Sequence, residues 1–144
     1  MSEAFTVYLR SGEKTLLMQR ADEVGDFPGA WDGIYGVGDP SNLDDVISRI
    51  TECTGIESEN LQYVRSGMAR GLEFGNRLND VTPMLFVTEE SQISNGTLYK
   101  NHEWIDPGKI KDKKYSTPQL REMYGDVASY LYILKTSIGQ EQNV

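Results

Sequence analysis

A chain of 144 residues with 38% apolar side chains and no low-complexity tract has the length and hydrophobic content of one globular domain with a buried core. Fourteen basic against twenty-two acidic residues leave a formal charge of −8, which argues against non-specific affinity for nucleic acid or an anionic membrane. The single cysteine excludes an intramolecular disulfide, Met1 to Phe5 carries no export pattern, and no run approaches the roughly 18 to 20 apolar residues of a membrane span, so a cytoplasmic protein is expected.

Phe5 to Arg10 alternates β-branched and aromatic residues, Ser11 to Lys14 supplies a turn, and Thr15 to Arg20 repeats the pattern, which predicts a hairpin. Asp26 to Gly33 holds Pro28 and Gly29 and is expected to be a loop entering a short strand over 34–37. From Asn42 to Thr54 the apolar residues Leu43, Val46, Ile47, Ile50 and Cys53 follow the i, i+3, i+4, i+7 spacing of an amphipathic helix, with Asn42 and Gly55 as its caps. Further strands are expected at 61–67, 71–74, 83–88 and 98–105, with Asn95-Gly96 as a turn. Thr117-Pro118 opens a last helix at about 117–137, whose Leu120, Met123, Tyr124, Val127, Leu131 and Leu134 lie on one stripe, and the tail 139–144 is polar. Strands before, between and after two helices indicate an α+β or mixed α/β sandwich rather than a doubly wound sheet.

The order of several features carries a family resemblance. A hairpin ending in Gln19-Arg20, Pro-Gly-x-Trp at 28–31, the glycines Gly36 and Gly38, and a helix closing in Glu52-x-x-Gly55-Ile56 resemble Nudix hydrolases, in appearance most of all the archaeal members. Val81 to Phe86, Glu103 to Pro107 and the last helix follow in the order that family shows. The resemblance implies a single Nudix-type α/β/α sandwich over 1–144, with a central mixed sheet, a box helix at about 42–54 and a C-terminal helix. It also implies hydrolysis of a diphosphate with Mg2+ or Mn2+ held by several box glutamates, since a hard divalent ion takes oxygen ligands and neutralises charge on phosphoryl oxygens.

The box itself is degenerate. Aligned backwards from Gly55, Ser48-Arg49-Ile50-Thr51-Glu52-Cys53-Thr54-Gly55-Ile56 stands where the family shows R-E-U-x-E-E-x-G-U, U being bulky and apolar. Only Glu52 matches one of the three clustered glutamates, which leaves it as the one candidate catalytic and metal-binding residue. Ser48 replaces the arginine, Arg49 its neighbouring glutamate and Cys53 the last glutamate. Asp45, Arg49 and Glu52 fall at i, i+4 and i+7 and share one polar face, so a guanidinium between two carboxylates is expected, each pair being worth roughly 0.2–0.5 kcal/mol. Such a face reads either as a fixed cation in the place of magnesium or as ordinary surface charge pairing.

Other candidates surround this helix. Arg20 and Arg70 are the arginines best placed to bind phosphate bidentately, ahead of Arg65 and Arg77. Trp31, Gly36 and Gly38 lie in the loop and strand leading to the box. Trp31, with Phe27 and Tyr35, could stack a base or pack the core. Cys53 continues the apolar stripe, as a structural cysteine does, and His102, the only histidine, excludes multi-histidine metal sites. Lys109, Lys111, Lys113 and Lys114 form a basic linker, and Glu73, Glu89, Glu90 and Glu103 are the acids that a relocated catalytic base would draw on.

Three functions follow. The first is a module that binds a small nucleotide-like or diphosphate-containing ligand with weak or absent hydrolysis, which the altered box favours. The second is an active Mg-dependent hydrolase of nucleoside diphosphates linked to another moiety, using relocated acids. The third is a protein-interaction domain that keeps only the scaffold. Many relatives dimerise, so the resemblance allows a homodimer; nucleic acid and membrane are not expected partners.

Overall fold

The computed structural model describes residues 2–21, 29–74, 77–94, 99–111, 120 and 123–127. Among these residues eight strands, β1 (Ser2–Ser11), β2 (Lys14–Arg20), β3 (Trp31–Asp32), β4 (Ile34–Val37), β5 (Gln62–Ser66), β6 (Arg70–Phe74), β7 (Arg77–Val87) and β8 (Tyr99–Ile105), form one mixed sheet. Helix α1 (Leu43–Thr54) covers one face, and the chain is helical again at Leu120 and across 123–127 on the other. The helix expected at about 117–137 is therefore present where it is described; the rest of it, with Leu131 and Leu134, lies outside the described residues, as do Phe27, Pro28, Asn95-Gly96, Lys113 and Lys114.

Strand periodicity sorts the core into two layers. Ala4 and Tyr8 of β1 point to the face covered by Leu120, Met123, Tyr124 and Val127, whereas Phe5, Val7 and Leu9 point to the face covered by Val46, Ile50 and Cys53 of α1. The Tyr8 and Tyr124 rings meet edge to face at 5.3 Å, and Tyr124 Oη shares a 2.8 Å hydrogen bond with Thr15 Oγ1.

The β1–β2 hairpin forms as expected, with Leu9 opposite Leu16. The parallel pairing of β1 with β7, from Ser2 opposite Asn79 to Arg10 opposite Val87, joins segments that alternation alone cannot connect. Pro83 is accommodated within β7 because the partner on that side changes there: β6 ends its register at Val81, β5 begins at Met84, and Pro83 accepts at its carbonyl from Gly67 N at 2.8 Å.

The site is set by a fork in the sheet. β1 and β2 pair only near their turn, and the chain 31–37 fills the gap between them. Trp31 and Asp32 pair with Gln19 and Met18 of β2, a short strand where the sequence predicts loop, and Ile34 to Val37 pair with Val7 to Ala4 of β1. Gly33 sits at the crossing, where a Cβ would stand 2.4 Å from the Val7 carbonyl oxygen. This close approach brings Tyr35 and Gly36 against α1.

Candidate functional site

Helix α1 is positioned by its ends and its apolar stripe. Asn42 Oδ1 accepts from Asp45 N at 3.3 Å, and Gly55 ends the helix at φ +78°, donating to Thr51 O at 2.8 Å. Thr54 Oγ1 bridges the last turn, donating to Ile50 O and accepting from Ile56 N. With Val46, Ile50 and Cys53 buried, the opposite side of the helix presents Asp45, Ser48, Arg49 and Glu52 to a groove of about 440 Å³. Phe5, Gly36 and Val37 form its other wall, Val37 being 70% exposed.

Arg49 is the fixed element of this groove. Its side chain is 21% exposed; Nε donates to the Tyr35 carbonyl at 2.9 Å, and Nη1 lies 3.5 Å from Glu52 Oε2. Glu52 is 70% exposed, so its hold on the guanidinium is that of a solvated surface pair. The Asp45 to Arg49 pair expected from the spacing does not form, because Asp45 Oδ2 accepts instead from Asn42 Nδ2 at 3.0 Å. Gly36 makes room for the arrangement: a Cβ there would meet Phe5 Cζ at 2.4 Å and Arg49 Cγ at 3.0 Å. Gly38, at φ +147°, donates its N–H to Glu3 O at 3.0 Å and so closes the turn toward α1.

This donor set does not fit a divalent cation. Among the described residues Asp45 and Glu52 are its carboxylates, a guanidinium is anchored beside them, and no group of three His, Cys, Asp or Glu residues converges for a metal. What the groove can do is offer a fixed guanidinium to an anion, against a local balance of one positive and two negative side chains.

The structure brings Gly36, Arg49 and Glu52 together and places the other candidates elsewhere. Trp31 is buried in the layer facing 120–127, on the opposite side of the sheet from α1. Arg70 is on that side as well, its Nη2 donating to both carboxylate oxygens of Asp126 at 3.0 and 3.2 Å. Arg20 ends β2 beside the fork, exchanging backbone hydrogen bonds with Gly29 and Ala30, and its charge acts on Asp32. Cys53 is buried under α1, which pushes its thiol pKa up.

One polar group is missed by sequence reasoning. Asp32, at the fork, accepts from Tyr8 Oη at 2.9 Å and from Gly33 N at 2.8 Å, both on Oδ1. Burial raises its pKa from 3.8 to about 6, against the lowering effect of those hydrogen bonds and of Arg20. The only signal was an acid beside a glycine in an otherwise apolar stretch. Because the folded chain holds this proton more tightly than the unfolded one, stability from this group is complete below pH 3.8 and is lost as pH rises to about 6. Asp32→Asn keeps the Oδ1 acceptor and removes the charge. It is expected to raise stability at pH 7 by about 1–2 kcal/mol and to flatten the decline between pH 4 and 6. Urea denaturation of both proteins at pH 4.5 and pH 7 checks this; an equal pH slope in the two would contradict it.

No protein-family model and no curated protein matches the sequence. Solved structures do match. An Ap4A hydrolase from C. elegans, solved as a binary complex, superposes with a TM-score of 0.71 at 18% identity, covering 92% of this chain and 98% of its own. A MutT protein from Methanosarcina mazei Go1 gives 0.69 at 17% identity, covering 86% and 90%. The NUDIX domain of Shewanella oneidensis NrtR, solved with ADP ribose, gives 0.68 at 11% identity, covering 91% and 88%. At such identities the likeness establishes the fold: the chain has the Nudix-type α/β/α sandwich, and its structural neighbours are Nudix proteins.

Proposed function

We propose that this chain binds a nucleotide-like or diphosphate-containing ligand in the groove beside α1, with little or no metal-dependent hydrolysis. The observation that carries the reading is Arg49, whose Nε is tied to the Tyr35 carbonyl at 2.9 Å in the groove where the resembling family needs carboxylates. Tying Nε fixes the plane of the guanidinium and leaves its terminal nitrogens to the groove, with Glu52 as a loosely held partner. A planar fork of fixed orientation matches two phosphate oxygens at little ordering cost. A volume of about 440 Å³ is ample for a phosphate-bearing small molecule. The neighbour solved with ADP ribose supports a ligand of that class.

A second reading is supported by Asp45 and Glu52 both lining the groove and by neighbours named as hydrolases. In it the protein hydrolyses nucleoside diphosphates linked to another moiety, with Mg2+ or Mn2+ and acids recruited from elsewhere. Calorimetric titration with inorganic pyrophosphate and with ADP-ribose in EDTA, beside a hydrolysis panel of nucleotides with Mg2+ or Mn2+, separates the two. Metal-free binding without turnover is the expected result. Metal-dependent turnover of any panel compound would overturn the non-hydrolytic reading.

A further inference from the structure

Among the described residues strand β4 pairs with β1 alone, and antiparallel geometry points the N–H and C=O of a given residue to the same side. At Tyr35 both groups turn away from β1 and would stand as an open strand edge. Two side chains from distant segments take them. Tyr35 N donates to Tyr99 Oη at 3.0 Å, and the Tyr35 carbonyl accepts from Arg49 Nε at 2.9 Å. The ring of Tyr35 is fixed independently on the other face, where Asn79 Nδ2 donates to its hydroxyl at 2.9 Å. Tyr35 is therefore clamped at three points, and the carbonyl that orients Arg49 moves only if that clamp loosens.

Tyr99 is built for this place. It opens β8 opposite Arg20, where the β2–β8 register shifts between Gln19 and Arg20, and such an irregularity re-aims a side chain. Tyr99 is 4% exposed and belongs to the same buried layer as Ile50 and Cys53. Burial pushes its hydroxyl up to about 12, so it is neutral and can accept from Tyr35 at any ordinary pH.

We infer that Tyr99 is the positioning residue of the anion groove, acting on Arg49 through the Tyr35 backbone. The inference rests on the groove's being an anion site. Tyr99→Phe removes the hydroxyl that accepts from the Tyr35 N–H, lets the end of β4 shift, and frees Arg49 Nε from its carbonyl.

The test is nitrogen-15 NMR of the full chain, following water exchange at Arg49 Nε–H, together with pyrophosphate titration. In Tyr99→Phe, Arg49 Nε–H exchange is expected to rise at least about tenfold and pyrophosphate affinity to fall about three- to tenfold. A merely structural Tyr99 lowers the unfolding midpoint and leaves the Arg49 signal of the folded protein unchanged, which would overturn the proposal. The wild type supplies a measurement that needs no variant: Tyr35 N–H and Arg49 Nε–H are expected to show matched protection. An Arg49 Nε–H exchanging as fast as a solvated guanidinium beside a protected Tyr35 amide would likewise sink it. Absence of pyrophosphate binding to the wild type would overturn the anion-site reading on which the inference rests, whereas the exchange data decide the clamp separately.

Discussion

Gly33→Ala is expected to lower stability by about 3 kcal/mol, the upper end of what an overpacked buried position costs. Its added Cβ would stand 2.4 Å from the Val7 carbonyl oxygen and 3.0 Å from Tyr8 Cδ1. Neither neighbour yields easily. Val7 is held in register with both Ile34 and Met84, and Tyr8 is pinned by its hydrogen bond to Asp32 and its ring contact with Tyr124. Gly12→Ala is the internal comparison: Gly12 has φ +60° and open space around it, so its substitution carries backbone strain alone, about 1 kcal/mol. Urea denaturation should show the Gly33 variant losing clearly more than the Gly12 variant. Equal losses would mean that the fork is free to open, and that Tyr35 and Gly36 owe their place to something else.

That fork marks the limit of what the sequence discloses. Val46, Ile50 and Cys53 repeat at helical spacing and Asn42 and Gly55 stand at the ends, so α1 is legible as a local pattern, and it forms over Leu43–Thr54. The hairpin of β1 and β2 is legible for the same reason. The two-residue strand Trp31–Asp32 is not, because it exists only where β1 and β2 part, and their parting is a property of segments at least ten residues away. The parallel β1–β7 pairing is equally silent, since alternation reports which face a residue occupies and not which strand lies beside it.

The site divides along a similar line. Arg49 stands out by the family pattern that 48–56 resembles, but the group that orients it does not, for a backbone carbonyl has no residue type to read; of the two acids the spacing pointed to, Glu52 pairs with it and Asp45 is taken by Asn42 instead. Arg70 reads as a cleft residue from its chain position, and Trp31 as a residue that either stacks a base or packs the core. The topology carries both to the opposite face, where Asp126 and the buried apolar layer engage them. Tyr99 was readable only as an aromatic on a strand. Its role depends on a register shift against β2 that no local pattern encodes.

On the proposed anion-binding reading, Arg49 and Glu52 give responses of opposite sign in the absence of metal. Arg49→Gln is expected to weaken pyrophosphate binding by about 10- to 100-fold, the worth of roughly 1.5–3 kcal/mol of charge-assisted hydrogen bonding. Glu52→Gln is expected to tighten it by about three- to tenfold, because the Glu52 carboxylate, 3.5 Å from Arg49 Nη1, occupies the position an incoming oxyanion needs and repels it. The gain is kept small by solvent, Glu52 being 70% exposed, and should shrink further as salt is raised from 50 to 500 mM, about the range over which surface charges become screened. A hydrolytic site in which Glu52 binds the metal requires the reverse: Glu52→Gln would weaken ligand binding in Mg2+ and abolish turnover. Titration of both variants with pyrophosphate, in EDTA and again in Mg2+, therefore distinguishes a carboxylate that competes with the ligand from one that recruits it through a cation. Tightening in EDTA identifies Glu52 as the competitor and Arg49 as the anion's partner; loss of affinity confined to Mg2+ returns Glu52 to the role its place in the box suggests.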